Sequence, residues 1–87
     1  KEIYYYRNRQ GNECDFIIRQ GLSITQVIQV CFELNPNTEE REIAGLVSAL
    51  DEFKLKQGTI ITKEKEGTIK SGGHTIRLVP ISKWLLE

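Results

Sequence analysis

The sequence predicts an α/β domain with a mixed β-sheet of about four to five strands. Three observations lead to this fold class. Runs rich in Ile, Val and Tyr, typical of strands, fill most of residues 2–34. One apolar stripe of helical spacing follows, and two further strand-like runs come after it. The predicted order is β-β-β-α-β-β plus a short terminal helix, and the strand–helix–strand step should be a right-handed crossover.

The first three strands are predicted at residues 2–9, 14–19 and 24–34. A turn signal at residues 10–12 joins the first two into a hairpin, and Gly21 lies before the third. In the third strand, polar Gln29 alternates with apolar neighbours. Because successive strand residues point to opposite faces, position 29 should share one face with positions 31 and 33.

The helix is predicted to begin after Pro36, with Asn37 or Thr38 as its N-cap. Glu39 and Glu40 then lie in its first turn, where the helix dipole favours negative charge. The residues that recur at helical spacing form one apolar stripe. They are Ile43, Leu46, Val47, Leu50 and Phe53.

Residues 59–62 and 75–79 are predicted as the last two strands of the sheet. A short run at 68–70 can pair with 75–77 across the two glycines at 72 and 73. Pro80 ends the last strand, and Ser82 can cap a terminal helix over residues 83–86. Its Trp-Leu-Leu sequence is expected to seal one end of the core.

The composition indicates one small domain over residues 1–87. The net charge is zero, which argues against a strongly basic nucleic-acid surface. No apolar run approaches the roughly 18 residues that a membrane helix needs. Two cysteines in opposite strand orientations are expected to stay reduced, which suits a cytoplasmic protein. The chain begins at Lys1 within a strand-like run, so we expect a piece of a longer polypeptide.

Asp15, Gln29 and Cys31 lie where neighbouring strands of a metal-dependent nuclease carry an acid, then an acid, any residue and a lysine. Nearly the whole chain resembles the C-terminal domain of a large family of prokaryotic AAA-type ATPases, which has a restriction-endonuclease-like, PD-(D/E)XK fold. The matching stretches are 4–8 (YYYRN), 11–18 (GNECDFII), 29–31 (QVC), 38–43 (TEEREI), 58–62 (GTIIT) and 76–86 (IRLVPISKWLL).

The resemblance implies an ATP-binding domain upstream as the partner of this one. No phosphate-binding Gly-Lys-Ser/Thr loop occurs in these residues, so this domain should not hydrolyse ATP. It departs from the nuclease pattern because Gln29 replaces an acid and Cys31 replaces the lysine. We therefore expect no enzymatic activity and no cofactor, with Asp15, Gln29 and Cys31 as vestigial positions. The domain would serve in protein docking or regulation.

Alternatives remain open from the sequence alone. A relocated nuclease site could hold Mg²⁺ between Asp15 and Glu33, with Glu40 or Arg41 reaching over from the helix start. The chain could instead bind nucleic acid without cleaving it. The nuclease fold normally begins with a helix over one sheet face, and this chain starts at the first strand. That face would be partly bare, so docking on a partner or formation of a homodimer would cover it.

Overall fold

The computed structural model describes residues 2–6 and 15–86, with side chains from residue 17 onward. The described strands form one mixed sheet with the order β1-β2-β3-β4-β6-β5. The elements are β1 Glu2–Tyr6, β2 Asp15–Gln20, β3 Ser23–Val30, α1 Pro36–Phe53, β4 Gln57–Thr62, β5 Gly67–Ser71, β6 His74–Pro80 and α2 Ile81–Trp84. The predicted 10–12 turn and Cys14 lie outside the described residues.

The sheet joins an antiparallel half to a parallel centre. β1, β2 and β3 pair antiparallel in chain order. α1 then carries the chain to β4, which lies parallel to β3, and β6 lies parallel to β4. The predicted α/β class with a mixed sheet is confirmed. The described strands number six and not four to five, because β5 pairs with β6 as a full edge strand across the Gly72-Gly73 turn.

The start of α1 corrects the predicted cap. The N-cap is Asn35, whose side chain accepts bonds from the backbone N–H groups of Asn37 and Thr38. The Thr38 hydroxyl in turn accepts from the Asn35 N–H, completing a capping box. Pro36 therefore lies at the first helical position, where its fixed φ fits and its missing N–H costs nothing. The N-cap therefore lies two to three residues earlier than the sequence suggested.

The core lies mainly between α1 and one sheet face. Leu46 and Leu50 of the predicted stripe are fully buried there against Val27, Ile60 and Ile76. The opposite sheet face is covered only in part, since Gln26, Gln57 and Arg77 border an open cleft there and are exposed. It carries a smaller cluster, against which the terminal helix packs; its members are Ile18, Ile28, Ile61, Val30, Ile81 and Trp84.

Two expectations about the chain's last turn are wrong. Ser82 does not cap α2, which begins directly after Pro80 and has no side-chain cap bond. Leu85 and Leu86 do not seal the core, since they are 75% and 88% exposed. Trp84 alone of this trio packs inward, against the smaller cluster.

The third strand is shorter than predicted. β3 ends at Val30, although the Cys31 N–H still donates to the Ile61 carbonyl at 2.9 Å. Glu33 lies in a turn and is exposed, and its carbonyl accepts from the Thr38 hydroxyl at 3.1 Å. The capping turn of α1 thus bends the chain out of the sheet. The expectation that Glu33 shares a strand face with Gln29 is therefore wrong.

Candidate functional site

The pairing of β2 with β3 sets the geometry of the candidate site. The register places Asp15 directly opposite Gln29. Directly opposed residues of antiparallel strands have Cβ atoms about 4.5–5.5 Å apart on one face of the sheet. Positions 15 and 29 are therefore neighbours, as the sequence pattern suggested. Only the backbone of Asp15 lies within the described part of the structure.

Gln29 lies on the sheet face beneath α1 and is only 2% exposed. Its Nε2 donates a hydrogen bond to Oε2 of Glu42, which lies on α1 and is itself buried. A buried amide–carboxylate bond of this kind is charge-assisted and stronger than a neutral one. It ties the third strand to the helix that follows it.

Sequence reasoning missed Glu42. The signal was available, because Glu42 lies four residues before Leu46 and seven before Ala49, both fully buried. Helical residues separated by four and seven positions share a face. A carboxylate at such a position is predicted to be buried and to need a partner.

The other end of the Gln29 amide is incompletely satisfied. Its Oε1 is buried and accepts no hydrogen bond from any residue that the structure describes. Such an oxygen lacks the compensation that buried polar atoms normally have. The atom can accept from a donor or coordinate a cation. It is thus an open coordination position in the site.

The other predicted site residues fall beside this pair without joining it. Cys31 is half-buried just beyond the end of β3, and exposed Glu33 follows in the turn. Both border a cleft of about 510 Å³, with Arg41 and Glu42 on its helix side. Within the described residues, no group of three or more His, Cys, Asp or Glu side chains is placed to hold a metal ion.

A catalytic pair of Cys31 and His74 is excluded by the positions of these two residues. His74 begins β6, and its Nε2 pairs with Asp51 Oδ1 at 2.9 Å. Cys31 precedes the opposite end of α1, and the helix between Pro36 and Asp51 rises about 22 Å. His74 is largely buried, with 12% of its side chain exposed, so it is a packed residue that joins the last hairpin to α1.

Two ion pairs lie on the remaining described surface. Lys83 contacts Glu66 at 2.7 Å, and Lys65 lies 3.5 Å from Glu39. Around them acidic and basic side chains are interleaved, which is typical of a solvated face and not of a continuous basic track. Neither described helix has the length and apolar character needed to cross a membrane.

The fold and site define a small mixed-sheet α/β domain in which a buried glutamine–glutamate bond lies beside an aspartate position. The chain belongs to the family described as a domain of unknown function (DUF4143), whose model matches residues 1–84. It is similar to uncharacterized protein MJ1544 of Methanocaldococcus jannaschii, with 37% identity over 91 residues. That match covers 98% of this chain and 20% of the relative, so the chain spans about a fifth of that protein's length. No solved structure matches the chain.

Proposed function

We propose that this chain is a non-catalytic accessory domain with a degenerate restriction-endonuclease-like fold. The observation that carries the proposal is the buried bond from Gln29 Nε2 to Glu42. Position 29 is where the nuclease pattern requires a second acid beside Asp15. A neutral amide occupies it, and its donor group is used to hold α1 on the sheet.

The chemistry of phosphodiester cleavage supports this proposal. Magnesium prefers several hard, charged oxygen ligands in near-octahedral geometry. Replacing the acid by Gln29 removes one ligand charge, and Cys31 provides no cation to position the attacking water. Glu42 is a nearby carboxyl group, yet one of its oxygens accepts the Gln29 bond. The resulting set of groups is better suited to stability than to holding Mg²⁺.

The proposed role is docking or regulation within a larger ATPase-type protein. The partner would be an ATP-binding domain of the same polypeptide, acting in the cytoplasm. Two observations support it. The matched region is 20% of the similar archaeal protein, which leaves most of that relative for other domains. Exposed apolar side chains at Phe32, Leu85 and Leu86 also give this domain surface that a partner would cover. A homodimer would cover it equally well.

A cleavage assay tests the non-catalytic part of the proposal. Supercoiled plasmid is incubated with the chain in magnesium or manganese, and nicking is followed over time. We expect no nicking above that of the Asp15→Asn variant, which serves as the matched control. Nicking by the unaltered chain that this substitution abolishes would overturn the proposal.

The second candidate function is a metal-dependent nuclease with a relocated acid. The observation that favours it is the unsatisfied Gln29 Oε1 beside position 15, with the Glu42 carboxylate on the same amide. In this alternative, Asp15 and Glu42 would be the charged Mg²⁺ ligands. Metal binding by Asp15 and Glu33 stays a prediction. The shared strand face that first supported it is absent, because Glu33 lies in the turn after β3. Loss of cleavage in both Asp15→Asn and Glu42→Gln would establish this function.

The salt dependence of DNA affinity tests the alternative that this domain binds nucleic acid without cleaving it. A domain that neutralises phosphates loses affinity steeply as salt rises. The net charge of zero and the paired surface lysines give little support to such a role. We therefore expect weak DNA binding whose affinity changes little as the salt concentration rises.

A further inference from the structure

The edge of the sheet opposite β1 forms a groove with the helix. β5 has one neighbour among the described strands, β6, and so presents a free edge. A cleft of about 830 Å³ runs between this strand and the flank of α1. On the helix side it extends from Pro36 to Asp51, and on the strand side it is bordered by residues 69–71.

The free edge of β5 offers backbone hydrogen-bonding groups. Gly72 and Gly73 close the hairpin with φ of 55° and 83°, the left-handed values of a tight two-residue turn. In such a hairpin the flanking pair, Ser71 and His74, is hydrogen-bonded, and bonding then alternates along the strand. The N–H and C=O groups of Thr68 and Lys70 consequently point away from β6, where an added strand can bond to them.

The groove has an apolar floor. Ile43 and Val47 of α1 are half-buried along it, and Ile69 of β5 packs into the same core cluster. Side chains of an added strand alternate in direction, so every second one would face α1. Apolar side chains at those positions would cover the remaining exposed area of this floor.

Carboxylates predominate on the helix wall. Glu39, Glu40 and Asp51 line the groove, against the single lysine Lys70 on the strand. Lys65 lies 3.5 Å from Glu39, and His74 Nε2 contacts Asp51 Oδ1 at 2.9 Å. Glu40 is exposed and forms no ion pair with any described residue. Glu40 and Asp51 lie about 16 Å apart along the helix, which about five residues of an extended strand would span.

We propose that this groove binds an extended basic–apolar peptide segment of a partner protein by strand addition to β5. Backbone bonds to β5 would give affinity, apolar side chains would pack on the floor, and flanking lysine or arginine would face the carboxylates. A second copy of this chain is a poorer occupant, because pairing two β5 edges would bring two acidic helix walls together. This groove extends the docking role proposed above from a domain of the same polypeptide to a separate protein, and the inference rests on that role.

The test is an amide-resonance titration of the chain with a defined probe at low salt. The probe is the capped peptide Lys-Thr-Val-Thr-Ile-Thr-Lys, which places both lysines and both apolar residues on one strand face. We expect saturable shifts at Thr68, Lys70 and the groove side of α1. The same peptide with glutamate for both lysines should bind at least about tenfold more weakly, because its charges then oppose the wall.

Matched protein variants separate backbone from side-chain effects. Lys70→Pro removes an outward N–H that β6 does not use, so it should abolish binding without unfolding the hairpin. Lys70→Ala keeps that N–H and should retain binding. Glu40→Gln should weaken binding about twofold to fivefold, as an exposed ion pair allows. Glu64→Gln, in the exposed loop before β5, is the charge control and should change nothing.

Several results would overturn the inference. Shifts centred on another surface, equal binding of the glutamate peptide, or equal loss in Lys70→Ala and Lys70→Pro would each do so. Dimerisation of the chain through β5, seen by sedimentation and abolished by Lys70→Pro, would assign the groove to a second copy. The plasmid assay uses neither β5 nor the peptide, so a failure here is distinguishable from failure of the non-catalytic role.

Discussion

Gln29 on β3 and Glu42 on α1 form a buried hydrogen bond between a side-chain amide and a carboxylate. The two residues are 13 positions apart, separated by the turn that ends the strand and caps the helix. Gln29 lies opposite Asp15. In the nuclease-like fold proposed above, the bond would therefore occupy the place of the metal ligands. The account of this domain as a structural and docking unit depends on that relationship.

Truncating Glu42 should destabilise the fold more than neutralising it. Glu42→Ala leaves the buried Gln29 N–H₂ group without its acceptor, which costs about 1–3 kcal/mol. Glu42→Gln keeps an acceptor oxygen in the same place and should cost about 1 kcal/mol or less. Urea unfolding of both variants measures the difference. Equal stabilities of the two variants would show that the bond contributes nothing.

Introducing an acid at position 29 should lower the free energy of unfolding when no metal is bound. Gln29→Glu replaces the donor by a second carboxylate against Glu42, and we expect a loss of about 2–4 kcal/mol at pH 7. Millimolar magnesium should restore part of the lost stability, since the cation offsets the added charge.

Gln26→Glu, on an exposed position of the same strand, is the control for the acid substitution. It should change stability by less than about 0.5 kcal/mol, as surface substitutions usually do. If Gln29→Glu unfolds no more readily than Gln26→Glu at pH 7, the two carboxylates are not in contact.

The helix cap provides a test of where α1 begins. Asn35→Ala removes the side chain that accepts from two helical N–H groups and should cost about 1 kcal/mol. Asn37→Ala removes a side chain that makes no cap bond and should cost only a few tenths of that. Thermal unfolding of the two variants checks this. A larger loss of stability in Asn37→Ala than in Asn35→Ala would identify Asn37 as the N-cap.

Gly58 on β4 is required by close packing against α1. A Cβ there would lie 3.0 Å from Leu46 Cδ2 and 3.1 Å from Leu50 Cδ1, both fully buried. Gly58→Ala should therefore overpack the core and cost about 1–3 kcal/mol. Gly67→Ala, where a Cβ meets nothing within 4 Å, is the matched control and should be neutral or slightly stabilising. Equal stabilities of the two variants in chemical denaturation would contradict close packing of Gly58 against α1.

Sequence patterns predicted the elements that depend on interactions between residues close together in the chain. The period of Leu46 and Leu50 identified α1, because a 3.6-residue repeat of apolar side chains has few other solutions. The glycines at 72 and 73 identified the last hairpin, since both positions adopt positive φ that other residues resist. The predicted neighbours at positions 15 and 29 followed from two adjacent strands and a common face.

Features set by tertiary contacts were not predictable in the same way. Alternation of apolar and polar residues continues past Val30, yet the Asn35 capping turn bends the chain out of the sheet. Glu42 resembled a surface residue of a charged helix start, and only its distance from Leu46 along the helix face indicated burial. Nothing local in the sequence Trp84-Leu85-Leu86 indicated that the first side chain packs on the sheet and the other two are exposed.

A manganese titration of the chain, followed by backbone amide resonances, tests the central claim most directly. The account predicts no selective broadening around Asp15, Gln29 and Glu42 up to millimolar metal, because the amide at position 29 and the thiol of Cys31 leave too little ligand charge. Selective broadening of those amides at micromolar metal, abolished by Asp15→Asn and by Glu42→Gln, would contradict it and establish a metal site with a relocated acid.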